Sequence, residues 1–335
     1  MQAAIYAPAG FELTDDERAF FRDADPTGYI LFKRNCDTQD QLLRLTDSLR
    51  ALSGRDDLPI LVDQEGGRVA RMKPPAWQAF PAADAFAKLY LAAPSSAIEA
   101  ARANARAIGL MVRSAGLNVD ALPLLDVRQE GASDIIGDRA LGSNPMQVAA
   151  LGRAVLDGLA SAGVVGIVKH MPGHGRALVD SHKELPIVNA SAEDLEIDLE
   201  PFERLASAPM GMTAHVVYEV WDPDLPASMS PTVIGDIIRG RIGFDGFLMS
   251  DDIGMEALQG DFGSRGAGVV AAGNDAALHC SGNMEEMVAV AAAVPALSAE
   301  GEARLSRAMA LTRLELEGME FADAIAKRDT LLAQA

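Results

Sequence analysis

Eight short apolar runs recur along the chain, and between them lie segments whose apolar residues step by three and four. The runs are Ala3–Ala7, Tyr29–Phe32, Ile60–Val62, Asn118–Ala121, Gly166–Lys169, Met210–Thr213, Phe247–Ser250 and Asp275–Leu278. Strands that alternate with helices imply a parallel sheet, because each crossover must carry the chain back across it. Eight such units match an α/β fold of the closed (β/α)8 barrel, or TIM barrel, type. A doubly wound sheet, commonly of about five or six strands, fits them less well.

The intervening helices have readable ends. Thr38 and Gln41 make a capping-box pattern ahead of Leu42, Leu45, Leu49 and Leu52. Ile98, Ala101, Ala105, Ile108, Val112 and Ala115 form one stripe, closed by Gly116. Asn144-Pro145 opens a helix that Gly163 ends, Ser191 with Asp194 opens another, and Ser230-Pro231 opens a third through Ile234, Ile237 and Ile238. Nothing resembling a linker or repeat divides the chain, so residues 1–335 are expected to form one barrel domain. The Ala-rich stretch 284–335 is expected to be helical throughout and to pack on the barrel.

Charge narrows the partners. Lys and Arg number 29 against 48 Asp and Glu, a net charge of −19. That field repels phosphate backbones and anionic lipid, so neither nucleic acid nor membrane is an expected partner. The start of the chain has no basic, apolar leader pattern, which points to a cytoplasmic protein. Only two cysteines occur, Cys36 and Cys280, so there is neither a disulfide framework nor a cysteine-based metal site.

In a barrel of this kind the chemistry sits where strands end. Here those positions are polar. The third run leads into Asp63-Gln64-Glu65-Gly66-Gly67-Arg68, and the fourth ends at Asp120 with Asp126 soon after. The fifth delivers Lys169-His170, the sixth His215 and the seventh Asp251-Asp252. Three of the five histidines fall between His170 and His182. Three readings of that segment stay open on the residues alone. One is a metal site of His170, His174, Asp180 and His182, although no zinc-type spacing is present. Another is a dyad in which Asp180 orients His182, since residues two apart in an extended segment share a side. The third is a loop of solvent-facing histidines. At the seventh strand end, alternation predicts that only one of Asp251 and Asp252 faces the site, the other capping the turn that follows.

The string Val62-Asp63-Gln64-Glu65-Gly66-Gly67-Arg68-Val69 and the string Lys169-His170-Met171-Pro172-Gly173-His174-Gly175, continuing to Asp180-Ser181-His182, belong together with Met212-Thr213-Ala214-His215, Phe244-Asp245-Gly246-Phe247 and Ser250-Asp251-Asp252. In that order they resemble the bacterial β-N-acetylhexosaminidases of glycoside hydrolase family 3, in the cytoplasmic branch that recycles cell wall. The resemblance spans about Tyr29 to Leu258. It departs at Met171, where the family usually has Phe, and at Gly254, where Ser is more frequent.

The resemblance implies a (β/α)8 barrel and a retaining exo-hydrolase. Its substrate would be a small carbohydrate, a peptidoglycan-derived muropeptide with a non-reducing terminal N-acetylglucosamine. It implies Asp251 as nucleophile and His182 as acid/base with Asp180 as its partner. Sugar contacts carry over to Asp63, Arg71, Arg139, Lys169 and His170. It implies no metal and no cofactor, and a monomer is expected. The competing readings are a phosphorylase that uses phosphate in place of water, a metal-dependent barrel hydrolase, and a sugar-binding protein without catalysis.

Overall fold

The computed structural model describes residues 1–131, 133–181, 184–313, 316 and 318–334. Eight parallel strands close into a barrel: β1 (Gln2–Tyr6), β2 (Pro26–Leu31), β3 (Ile60–Val62), β4 (Val119–Asp120), β5 (Val165–Met171), β6 (Met210–Thr213), β7 (Phe247–Asp252) and β8 (Ala276–His279). Each pairs with its neighbours in chain order, and β8 returns to β1 through Ala4–Ala277, Ile5–Leu278 and Tyr6–His279. All eight predicted runs are barrel strands, with ends shifted by up to three residues. Their unbroken apolar character follows from burial on both faces. Ile60, Leu61 and Val62 have no exposed surface at all.

The helical layer follows the expected signals in most places. Thr38 caps the helix Gln39–Ser53, but Gln41 Oε1 accepts from the N–H of Asp37 at 2.9 Å instead of closing the box on Thr38. Pro94–Ser114 ends as Gly116 takes a φ of 82°. Pro145–Ser161 starts on the Asn144 side chain, and Ala192–Arg204 on that of Ser191. The segment after Ser230-Pro231 is helical but wide-turned, a π-helix over Val233–Arg241.

The stretch from Met284 is not helical throughout. Helix Met284–Ala293 stops before Pro295, which lacks the N–H that a helix interior needs, and a new helix begins at Ala299. The gap has its own use. Ala3 donates to the Pro295 carbonyl at 3.0 Å, Leu297 donates to that of Met1 at 2.9 Å, and the Gln2 amide reaches the Ala291 carbonyl. The helix Phe321–Leu332 lies against Pro94–Ser114, with Arg328 bonded to Asn104. Among the described residues no helix is long and apolar enough to cross a membrane.

Two small additions rise from the strand-end face. Gln64–Gly66 turns back on Val69–Ala70 as a short antiparallel pair. Ile187–Val188 pairs with Val217–Tyr218, and the Tyr218 hydroxyl donates to the Gly173 carbonyl at 2.6 Å.

Candidate active site

The polar strand ends converge on one chamber of about 400 Å³. Asp63, Arg71, Arg139, Lys169, His170 and Asp251 all line it, although they come from five separate stretches of chain. Asp63 follows directly on β3, Lys169 and His170 lie within β5, and Asp251 lies within β7.

Four of its lining residues, Asp63, Arg71, Arg139 and Lys169, form one ion-pair cluster with Glu65. Lys169 Nζ lies 3.0 Å from Asp63 and 2.8 Å from Glu65. Arg71 reaches the other oxygen of Asp63 at 3.0 Å. Arg139 grips Glu65 with Nε and Nη2, each at 2.8 Å. Burial alone would raise both carboxyls. Lys169 and Arg71 outweigh it at Asp63, and Lys169 with Arg139 does so at Glu65, so both stay below the ordinary carboxylate range. Burial would likewise lower Lys169, but Glu65 and Asp63 hold it above its usual value. Its ammonium carries three donors, and two of them are engaged by these acids. The array is a rigid set of donors and acceptors at a cavity wall, suited to sugar hydroxyls.

Glu65 is not among the sugar contacts expected from sequence. Its position in the Asp63–Arg68 run was visible, but its partner Arg139 comes from a distant loop. Asp126 was noted only as a strand-end acid. It is fully buried and accepts three hydrogen bonds: from His170 Nδ1 at 2.8 Å, from the His170 backbone at 3.2 Å and from the His174 backbone at 2.7 Å. Burial opposes its charge, but His170 and the His174 N–H prevail and its pKa falls to about 2. His174 lines the chamber beside Ser181, whose Oγ is 3.2 Å from Nε2. Burial, reinforced by His170, lowers His174 to about 4, so its ring is neutral near pH 7.

Asp251 and Asp252 do not alternate as expected: both line the chamber. The pairing of β7 with β8 shifts register between Met249 and Asp252, and such an irregularity re-aims the side chains beyond it. Their surroundings still differ. Asp252 Oδ1 accepts from the N–H groups of Gly254 at 2.9 Å and Cys280 at 3.1 Å, and so organises the turn after the strand. Burial, with negative Asp251 beside it, pushes the Asp252 carboxyl up against the pull of the Gly254 N–H. Asp251 Oδ1 accepts from the Asp252 backbone at 2.8 Å.

Two strand-end groups lie outside the chamber. His215 is buried, donating from Nε2 to the Asp252 carbonyl at 2.9 Å, with Nδ1 2.6 Å from the Ser228 hydroxyl. Asp120 is fully buried and accepts from the Gln64 N–H at 2.9 Å. Asp180 is half-buried on the loop after β5 and does not line the chamber, whereas its neighbour Ser181 does. His182 lies outside the described residues. The loop leaves β5 under tight constraint: a Cβ on Gly175 would stand 1.9 Å from the Val127 carbonyl oxygen. Among the described residues no group of three or more His, Cys, Asp or Glu is arranged to hold a metal ion.

The sequence matches the family described as glycosyl hydrolase family 3 N terminal domain over residues 6–313. A β-hexosaminidase of Alkalilimnicola ehrlichii is 40% identical over 281 residues, which cover 81% of this chain and 78% of the relative. The crystal structure of NagZ from Neisseria gonorrhoeae in complex with N-trifluoroacetyl-D-glucosamine superposes with a TM-score of 0.88 at 31% identity, covering 99% of this chain and 98% of that one. A family 3 β-N-acetylglucosaminidase from a Paenibacillus species gives 0.85 at 29% identity, covering 99% of this chain and 66% of its own. Strand order, the convergence of polar groups at the strand ends and these relatives agree: the chain belongs to glycoside hydrolase family 3 and is a glycoside hydrolase.

Proposed function

We propose that the chain is a retaining exo-β-N-acetylglucosaminidase, with Asp251 as nucleophile and His182, oriented by Asp180, as acid/base. The observation that carries this reading is that Asp251 opens into the same chamber as the Lys169–Asp63–Arg71 array. A terminal sugar held by that array has its ring within the chamber that Asp251 lines. The relatives support the choice of sugar, since one is named β-hexosaminidase and another was crystallised with an N-acylated glucosamine.

In the first step an oxygen of Asp251 attacks the anomeric carbon while the glycosidic C–O bond breaks, and positive charge builds on the ring. The bonding pair leaves with the aglycone oxygen, which takes a proton from the His182 imidazolium. In the second step neutral His182 removes a proton from water, and the water oxygen displaces Asp251 from the anomeric carbon. Two inversions return the β configuration. A histidine acid is consistent with the state of three acids around the Lys169 array and His170. Asp63 and Glu65 are held ionised by their cations, and Asp126 is sealed by three N–H groups. None of them has a proton to give near neutral pH.

The natural substrate of this reading is a muropeptide carrying a non-reducing terminal N-acetylglucosamine, met in the cytoplasm during cell-wall recycling. The test is hydrolysis of a chromogenic β-N-acetylglucosaminide, with and without EDTA and with added phosphate. Free N-acetylglucosamine, released at a rate EDTA leaves unchanged, is the expected product. Sugar-1-phosphate would identify a phosphorylase, and loss in EDTA with recovery in zinc would identify a metal-dependent hydrolase.

A further inference from the structure

We infer that Asp126 is a positioning residue that fixes His170 as its Nδ1–H tautomer, so that the His170 Nε2 lone pair accepts a hydrogen bond from a sugar hydroxyl in the chamber. The inference rests on the proposed glycosidase reading for its ligand, but not for its geometry.

The geometry begins with what surrounds the carboxylate. Asp126 has no exposed surface, and three N–H directions meet on its two oxygens. Oδ1 accepts from the backbone N–H of both His170 and His174, and Oδ2 faces His170 Nδ1. A carboxylate so surrounded has no proton of its own to offer, so the hydrogen in the 2.8 Å contact belongs to Nδ1. In the neutral ring Nε2 is then an acceptor only.

That assignment gives the chamber a complementary pair. Lys169, one residue earlier, offers only donors, with one N–H beyond the two engaged by Asp63 and Glu65. His170, which lines the same chamber, offers an acceptor. A hydroxyl is both donor and acceptor, so a sugar O–H can pair with either group, and a hydrogen in its place leaves that group unpaired. The same carboxylate holds the His174 backbone, at the root of the loop that leads to Asp180. One buried side chain thereby sets both a sugar-facing ring and the departure of that loop.

The test combines ¹⁵N-histidine NMR with a double-mutant cycle on the full chain. His170 resonances are assigned by their loss in His170→Phe and read after the pH is raised until they stop moving. In the unsubstituted protein Nδ1 is expected to carry the proton and Nε2 to be bare. This arm needs no variant of Asp126 and no enzymatic activity. Asp126→Asn can donate to Nδ1 from its amide and is expected to move the proton to Nε2. With that change, kcat/KM on the chromogenic β-N-acetylglucosaminide should fall about 10- to 100-fold. In a His170→Ala background the same substitution should add less than about a 2-fold loss. An Nε2–H tautomer in the unsubstituted protein overturns the inference, and so does a fully additive loss in the cycle. If the unsubstituted protein fails to cleave the substrate at all, the glycosidase reading falls, and the tautomer alone decides the role of Asp126.

Discussion

Arg139 and Glu65 meet fork to fork, with Nε and Nη2 each 2.8 Å from one carboxylate oxygen. The carboxylate is almost wholly buried, and Lys169 shares it at 2.8 Å. The pair therefore joins the β3 end, the 137–139 turn and β5 into one frame, and its chief effect is on where three chamber groups stand. Attraction within such a pair is offset by the desolvation of both ions, so the intact pair adds little net stability. Removing one member is another matter, because the remaining charges stay buried.

Glu65→Ala should therefore destabilise the protein by about 3–5 kcal/mol. It should also lower affinity for substrate, since Arg139 and Lys169 lose their common anchor. Denaturant unfolding measures the first effect and KM the second. A variant as stable as the parent would show that the frame carries no strain when broken.

Asp251→Ala should reduce turnover by about 10⁴-fold or more, as expected for loss of a nucleophile. Asp252→Ala should instead destabilise the turn by about 1–3 kcal/mol, because the Gly254 and Cys280 N–H groups lose their acceptor. A slow fluorinated substrate traps the covalent intermediate, and mass spectrometry locates it. Label on Asp252 would reverse the assignment.

His182→Ala should depress cleavage of substrates with poor leaving groups by about 10²–10⁴-fold. Activated aryl glycosides should be spared in the first step, because their oxygen departs without a proton. A series of leaving groups of graded pKa reads this directly. An equal loss across the series would take the acid role away from His182.

His174 makes stability depend on pH in a defined window. Its ring is held at about 4 in the folded chain, against 6.5 as the ordinary value. Between those values the unfolded chain binds a proton that the folded chain refuses. The contribution is thus complete above pH 6.5 and is lost as pH falls toward 4, on the order of 3 kcal/mol in all. Asp198 works in the opposite sense, because burial raises it to about 6 despite its bond to Arg176. Comparing unfolding free energies of the parent and His174→Asn across this range cancels the Asp198 part. The difference should shrink as the solution becomes more acidic, and parallel curves would contradict the burial argument.

The barrel was legible because parallel strands are buried on both faces and read as plain apolar runs, and because Asn144-Pro145 and Ser191 mark helix starts by local chemistry. The chamber was legible where a polar residue stands at a strand end, as at Asp63, Lys169, His170 and Asp251. What escaped depends on neighbours remote in sequence. The bond from Asp126 to His170 crosses from one strand end to the next, and the grip of Arg139 on Glu65 joins two loops. The β7 register shift that turns Asp252 toward the chamber arises from pairing with β8, which no local pattern announces. The break at Pro295 was visible as a residue. Its use, in binding the carbonyls and N–H groups of the first strand, was not.

Closure of the ring between β1 and β8 also sets an order on biosynthesis. The strand made first, Gln2–Tyr6, has a neighbour on one side once β2 emerges, and on the other only after Ala276–His279 leaves the ribosome. Until then any sheet the nascent chain builds from its first seven strands has two unpaired edges. Such edges invite pairing with other chains. The protein is thus a ring whose clasp is the last of the eight barrel strands to be translated, and ribosome pausing before residue 280 would prolong the time those edges stay open.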